Sequence, residues 1–188
     1  QGAHGIDVSV AYAGRDEKSD MSELIGRFRK TLDRPLVIDS TDPSVIESAL
    51  RLIGGRALIN SVNLEDGEER AGRLFSLAAR YGAAIIALTI DEEGMARSLE
   101  RKMSVARRLV SIATERYGLR PHDLVIDPLT FTLGSGDESL KTAGLTTLEA
   151  IRNLKEEIPG VRTILGVSNI SYGLAAESRE VLNSVFLH

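Results

Sequence analysis

Cysteine and tryptophan are absent from the 188 residues, and aromatic residues make up only 4%. Without a thiol, neither a disulfide nor a thiolate metal site forms within the chain. Scarce aromatics remove the stacking platforms that hold single-stranded nucleic acids. The net charge is −4, with lysines and arginines spread along helical stretches rather than gathered in a block. That pattern lacks the electrostatic footprint of a nucleic-acid partner. No apolar run reaches the length of a membrane span and no signal peptide is visible, so the expected setting is cytoplasmic, with no membrane partner. His4, His122 and His188 are scattered, a poor set for a metal, and none is expected.

What is present repeats. With 43% hydrophobic residues the chain can bury one core, so residues 1–188 read as a single domain. Residues 5–11 read as a strand, followed by an amphipathic helix over about residues 20–32. Residues 35–39 form a second apolar strand. Asp42 then suits an N-cap and Pro43 a first helical turn, in a helix expected to close on Gly54-Gly55. Residues 56–60 are a third strand, with a helix that ends at Tyr81-Gly82. Residues 83–89 are a fourth, and the helix after it is expected over about residues 94–117. Residues 123–128 are a fifth, and Thr146-x-x-Glu149 reads as a capping box for a helix that stops at Pro159-Gly160. The sixth strand, Thr163-Ile164-Leu165, turns abruptly into Gly166-Val167-Ser168-Asn169-Ile170-Ser171-Tyr172-Gly173, and a final helix is expected over about residues 178–188.

Six βα units with short connections imply a parallel sheet clad in helices, either doubly wound or closed as a barrel. Asp7, Asp39, Asn60, Thr89, Asp127 and Asn169 place a polar residue at or near the C-terminal end of every strand. A doubly wound sheet needs such groups only at its switch point, whereas a barrel brings all strand ends to one mouth. The expectation is therefore an α/β fold, a parallel TIM-type (βα) barrel with about six of the eight units. The first and last units would lie elsewhere in a longer chain, leaving sheet edges to be covered.

Asp and Asn at strand ends also cap helices, and for each residue alone that reading stands beside a ligand-binding one. As a set they say more, because capping requires neither Asp127 before Pro128 nor Asn60 within Ile59-Asn60-Ser61. A flat heterocycle with an amidine-like edge needs this combination: a carboxylate for two adjacent N–H donors, and amides for ring nitrogens. Ser168 and Asn169 add donors and acceptors where the last strand ends. Arg101, Lys102, Arg107 and Arg108 read as a solvated helical face, and Gly134-Ser135-Gly136 as a loop.

Ile38-Asp39-Ser40-Thr41, Ile59-Asn60-Ser61, Ile126-Asp127-Pro128-Leu129 and Gly166-Val167-Ser168-Asn169-Ile170-Ser171-Tyr172-Gly173-Leu174 together resemble the pterin-binding barrel family, whose fold is that of dihydropteroate synthase. Within it they are most similar to the folate-binding domains of cobalamin-dependent methionine synthases and to corrinoid methyltetrahydrofolate methyltransferases. The resemblance runs through the whole chain. It implies 5-methyltetrahydrofolate as methyl donor, and cobalamin carried by another domain or subunit that docks over the mouth. By the same resemblance, Asp127 would pair with the pterin 2-amino and N3 edge, Asn60 and Asp39 with other polar ring atoms, and Asn169 with N5. Ser168, Ser40 and Asp7 would support them. Ser9 stands where the family often has asparagine, which leaves that position without an implied role. Two other readings remain beside methyl transfer: a dihydropteroate synthase, disfavoured by neutral Asn169 where pyrophosphate binding calls for a cation, and a folate-binding module that turns nothing over.

Overall fold

The computed structural model describes residues 2–188. The strands are β1 (Ile6–Val8), β2 (Leu36–Asp39), β3 (Leu58–Val62), β4 (Ala84–Leu88), β5 (Ile90–Asp91), β6 (Gly94–Met95), β7 (Leu124–Asp127) and β8 (Arg162–Thr163). The helices are α1 (Glu17–Phe28), α2 (Pro43–Leu50), α3 (Glu68–Tyr81), α4 (Leu99–Ser111), α5 (Ala143–Glu157) and α6 (Ala176–Leu187).

Six strands form one sheet in the order β1-β2-β3-β4-β7-β8, every pair parallel. The order never reverses, so there is no switch point of the doubly wound kind. Each strand lies beside the one before it, as around a barrel wall. The sheet is an arc of a (βα) barrel, with β1 and β8 at its open edges.

Alternate residues along each strand meet different surroundings. Leu36, Ile38, Ile59, Ile85, Ala87, Leu124 and Ile126 are sealed into the core. That core includes Met21 and Ile25 of α1, Ile46 of α2, Leu74 and Phe75 of α3 and Leu109 of α4. The alternate set is only half-buried at Val37, Leu58, Ala84, Leu88 and Val125, while Ile86 among them is buried. Helices close one face of the sheet, and the concave face stays partly open.

Several element ends differ from expectation. Helix α1 starts earlier, because the Asp16 carboxylate accepts the Ser19 N–H at 3.1 Å and caps it there. Helix α2 begins as anticipated, with Asp42 accepting from Ser44 N–H at 2.7 Å and Pro43 in the first turn, but it ends at Leu50, before the glycine pair. Helix α3 closes on Gly82 in the left-handed region, φ 64°. The long helix expected from residue 94 is preceded by an antiparallel hairpin, β5 with β6. Its turn is made by Asp91, which accepts the Glu93 N–H at 3.1 Å, and by Gly94 at φ 95°. Ser98 then caps α4. The chain leaves α4 through a wider π turn, Ile112–Arg116, before Gly118. Thr146 is no cap: α5 starts at Ala143, which puts Thr146 inside the helix. The last strand shrinks to Arg162–Thr163, since β8 has a partner on one side only, and Val167–Ser171 coils into a 3-10 turn.

Candidate functional site

Strand registers decide which side chains stand together. Asp39 pairs with Asn60, Asp7 with Val37, and Val37 with Leu58. Leu58 pairs with Ala84, and Leu88 with Asp127. By alternation, Asp7, Asp39, Asn60 and Asp127 all belong to the concave face. Asp39, Asn60 and Asp127 lie at or near the C-terminal ends of their strands, where (βα) barrels carry their active sites. Asp7 is more exposed and one row lower, level with Val37. The cleft lined by Phe28, Leu32, Pro35, Ile53 and Arg56 opens at the other end of β2 and β3, away from this chemistry.

Ser40 has the opposite orientation. It is buried, its hydroxyl donates to Glu17 Oε1 at 2.6 Å and accepts the Asp42 N–H at 3.1 Å, so it ties α1 to the start of α2. Thr89 is also turned inward: its N–H and hydroxyl both donate to the Asp127 carbonyl, at 3.0 and 3.2 Å. It fixes the end of β7 rather than lining the mouth.

Asp127 is the most constrained of the acids. Burial pushes its carboxyl up; the Leu129 N–H, donating to Oδ1 at 2.8 Å, and the nearby Lys102 ammonium oppose this without cancelling it. Asp39 is also raised, first by burial and then by repulsion from Asp7 and Glu17. The mouth therefore gathers carboxylates that gain from a donor-bearing ligand, because N–H donors would replace the water each has lost.

The loop after β7 and the turn after β8 are tied together. Leu133 N–H donates to the Ile170 carbonyl at 3.0 Å, and the Thr132 hydroxyl to the Tyr172 carbonyl at 2.7 Å. Gly134 permits this contact, since a β-carbon there would stand 2.7 Å from Leu174. Ser168 and Asn169 are exposed on the 3-10 turn thus anchored. The Ser168 carbonyl accepts from the Ser171 hydroxyl at 3.1 Å, and the Asn169 amide lies over Gly166.

One residue reverses its expected place. Lys102 is not solvated; it is 1% exposed, and its ammonium donates to the Pro128 carbonyl and, at 3.1 Å, to the Leu129 carbonyl. Its helical neighbours do reach outward: Arg101 pairs with Asp91, Arg107 with Glu157, and Arg108 with Glu68 and Glu92. A signal for this was present in the sequence, since Lys102 is in phase with Val105, Ala106 and Leu109 at helical spacing, on the apolar stripe of α4. The buried Thr147 hydroxyl also donates to the Leu129 carbonyl, at 2.9 Å. Leu129 itself has φ 63°, the one non-glycine in the left-handed region among the described residues. Such a conformation costs on the order of 1–3 kcal/mol and persists where its surroundings hold it.

Among the described residues no group of three or more His, Cys, Asp or Glu could hold a metal ion, and no helix is long and apolar enough to cross a membrane.

Residues 1–188 match the family described as pterin binding enzyme. The chain is 47% identical over 190 aligned positions to methionine synthase of Mycobacterium tuberculosis, and equally to that of Mycobacterium leprae, with 100% of this chain aligned in each case. It spans only 16% of the length of those relatives. Among solved structures, dihydropteroate synthase of Xanthomonas albilineans in complex with 7,8-dihydropteroate superposes with a TM-score of 0.69 at 18% identity, over 99% of this chain and 68% of that one. Dihydropteroate synthase of Thermus thermophilus gives 0.65 at 22% identity, over 99% and 72%. At such identities the likeness concerns the fold, which is the barrel built here from the strand order.

Proposed function

Since the chain belongs to the pterin binding enzyme family, we propose that it binds 5-methyltetrahydrofolate at the concave mouth and presents the N5-methyl group to cob(I)alamin held on another domain or subunit, as a step of methionine synthesis. What carries the reading is that a chain 47% identical throughout to methionine synthases sets Asp39, Asn60 and Asp127 on one face at the strand ends.

The donor set suits a pterin. The 2-amino and N3 edge offers two adjacent N–H groups, and a carboxylate accepts both. Asp127 is that carboxylate, half-buried and already oriented by the Leu129 N–H. Asn60 supplies both a donor and an acceptor to the ring, and Asp39 a second acceptor. Asp7 and Ser168 support the rim, and Ser40 acts from behind it by holding Glu17 and the α2 start.

Cob(I)alamin supplies the nucleophile. What remains for this chain is to orient the methyl donor and to help N5 leave. A tertiary amine departs poorly unless its nitrogen is protonated or strongly hydrogen-bonded as the methyl goes. Asn169 serves here: its amide accepts from a protonated N5 or donates to a neutral one, so it holds the atom through the change. The chain then contributes position and polarity rather than a strong acid.

The test is direct. The full-length protein, given 5-methyltetrahydrofolate and cob(I)alamin, should form methylcobalamin in a single turnover, and the folate should bind measurably by calorimetry. Binding without turnover would leave a folate-binding module; no binding would remove the proposal. Condensation of a pterin pyrophosphate with an aminobenzoate by the same protein would point instead to dihydropteroate synthase chemistry. The neutral Ser168-Asn169-Ile170 turn speaks against that outcome, and nearby Arg179 is directed to the Ser171 hydroxyl at 3.3 Å.

A further inference from the structure

A buried lysine whose hydrogen bonds all go to backbone carbonyls is expensive to keep, and the mechanism above makes no use of it. We infer that Lys102 is a positioning residue of the pterin pocket: its ammonium pins the Pro128 and Leu129 carbonyls and thereby fixes the Asp127 carboxylate. The inference rests on the pterin reading of Asp127.

The geometry is a chain of three links. Lys102, on the inner stripe of α4, donates to both carbonyls of the turn that follows β7. Thr147, from α5, donates to the Leu129 carbonyl from its own element. The Pro128 carbonyl and the Leu129 N–H belong to one planar peptide, so holding that carbonyl also holds the N–H that donates to Asp127 Oδ1, while two helices fix the Leu129 carbonyl and its left-handed backbone beyond it. With that N–H on Oδ1, the carboxylate plane is set before a ligand arrives. Phe131 lies 4.9 Å from the ammonium and covers it with a ring face, which favours a cation. Burial brings Lys102 down to about 8, with the Asp127 charge opposing, so the ammonium persists at neutral pH. A solvated lysine on this helix would do none of this.

The experiment is a double-mutant cycle in the full-length protein, read as the dissociation constant for 5-methyltetrahydrofolate. Lys102→Met keeps the unbranched apolar stem, one atom shorter, and removes its charge and donors. It should weaken binding by about tenfold, the scale of one lost charge-assisted contact. In the Asp127→Asn background the same change should cost less than about threefold, since its effect runs through that carboxylate. A purely structural lysine would give the same factor in both backgrounds, and that result, or no loss in the first, overturns the inference. If Asp127→Asn alone leaves binding intact, the pterin reading of Asp127 has failed. Amide exchange of the peptide over residues 128–131 then decides the clamp: faster exchange in Lys102→Met supports it and unchanged exchange rejects it. Should Lys102→Met not fold, Lys102→Gln, which keeps a donor but not the charge, enters the same cycle with the same two outcomes.

Discussion

Gly166 lies under the side chain of Asn169 so closely that a β-carbon at 166 would stand 2.8 Å from Nδ2. The Asn169 N–H also donates to the Gly166 carbonyl, at 3.0 Å. One residue without a side chain thus fixes both the turn and the resting place of its amide. Gly166→Ala should push the amide aside while leaving the core intact, because position 166 is exposed. Methyl transfer should slow by about tenfold or more, as expected for a misplaced positioning group, with an unchanged melting temperature. Full activity in the alanine variant would show that the observed amide position is not the working one.

Removing the amide altogether tests its timing. Asn169→Ala should slow single-turnover formation of methylcobalamin by about 10²–10⁴, the range for positioned proton-transfer groups. Folate affinity should fall by less, because charge at N5 matters most as the methyl departs. Equal losses in rate and affinity would reduce Asn169 to a binding residue.

Acid should empty the mouth before it unfolds the protein. Burial raises both Asp127 and Asp39 above the ordinary carboxyl value of about 3.9. Folate binding needs the carboxylate of Asp127, so affinity should decline as pH falls through its raised value. Stability moves the opposite way for these two groups: each binds its proton more tightly when folded, so its contribution drops as pH rises from about 3.9 through the raised value. Calorimetry across the acid range should show affinity lost while the fold persists, and Asp127→Asn should weaken binding by about tenfold or more at neutral pH. A pH-independent affinity would take both carboxylates out of the site.

At the opposite end of the sheet the sign reverses. Burial alone would raise Asp123, but Arg120, through its N–H at 2.9 Å and its guanidinium, and then Arg56, bring it down to about 2. Its contribution is complete above the ordinary value and is lost as pH falls through about 2. Asp123→Ala should cost roughly 1–3 kcal/mol at neutral pH, a figure limited by the solvent around both arginines. Denaturant titrations at neutral and acid pH should show the difference between variant and parent shrinking at the acid end. A constant difference would mean that packing, not charge, is what Asp123 provides.

Much of this was legible in the sequence, and the limits have physical causes. The strands showed as apolar runs, and the Asp42-Pro43 start and the Gly82 stop were explicit because caps and left-handed ends leave local marks. The β5–β6 hairpin was not, since Asp91-Glu92-Glu93-Gly94 has the acidic look of a helix entrance and only pairing reveals the turn. The acids at the strand ends could be gathered on one face from alternation alone. Ser40 and Thr89 could not be sorted from them, because their orientation depends on Glu17, Asp42 and the Asp127 carbonyl, all distant or backbone partners. Lys102 was hidden by its charge: composition placed it with Arg101 and Arg108, whereas its helical phase placed it with Leu109.

Because the Leu133 N–H and the Thr132 hydroxyl fasten the two neighbouring loops, Asp127 and Asn169 ride on one stitched piece of backbone. On the proposed reading they grip opposite ends of the same bicyclic ring, like the jaws of a calliper locked at one opening. Such a gauge selects by length as well as by chemistry. A single-ring pyrimidine with the same amidine edge would satisfy the Asp127 jaw and leave the Asn169 jaw closing on water.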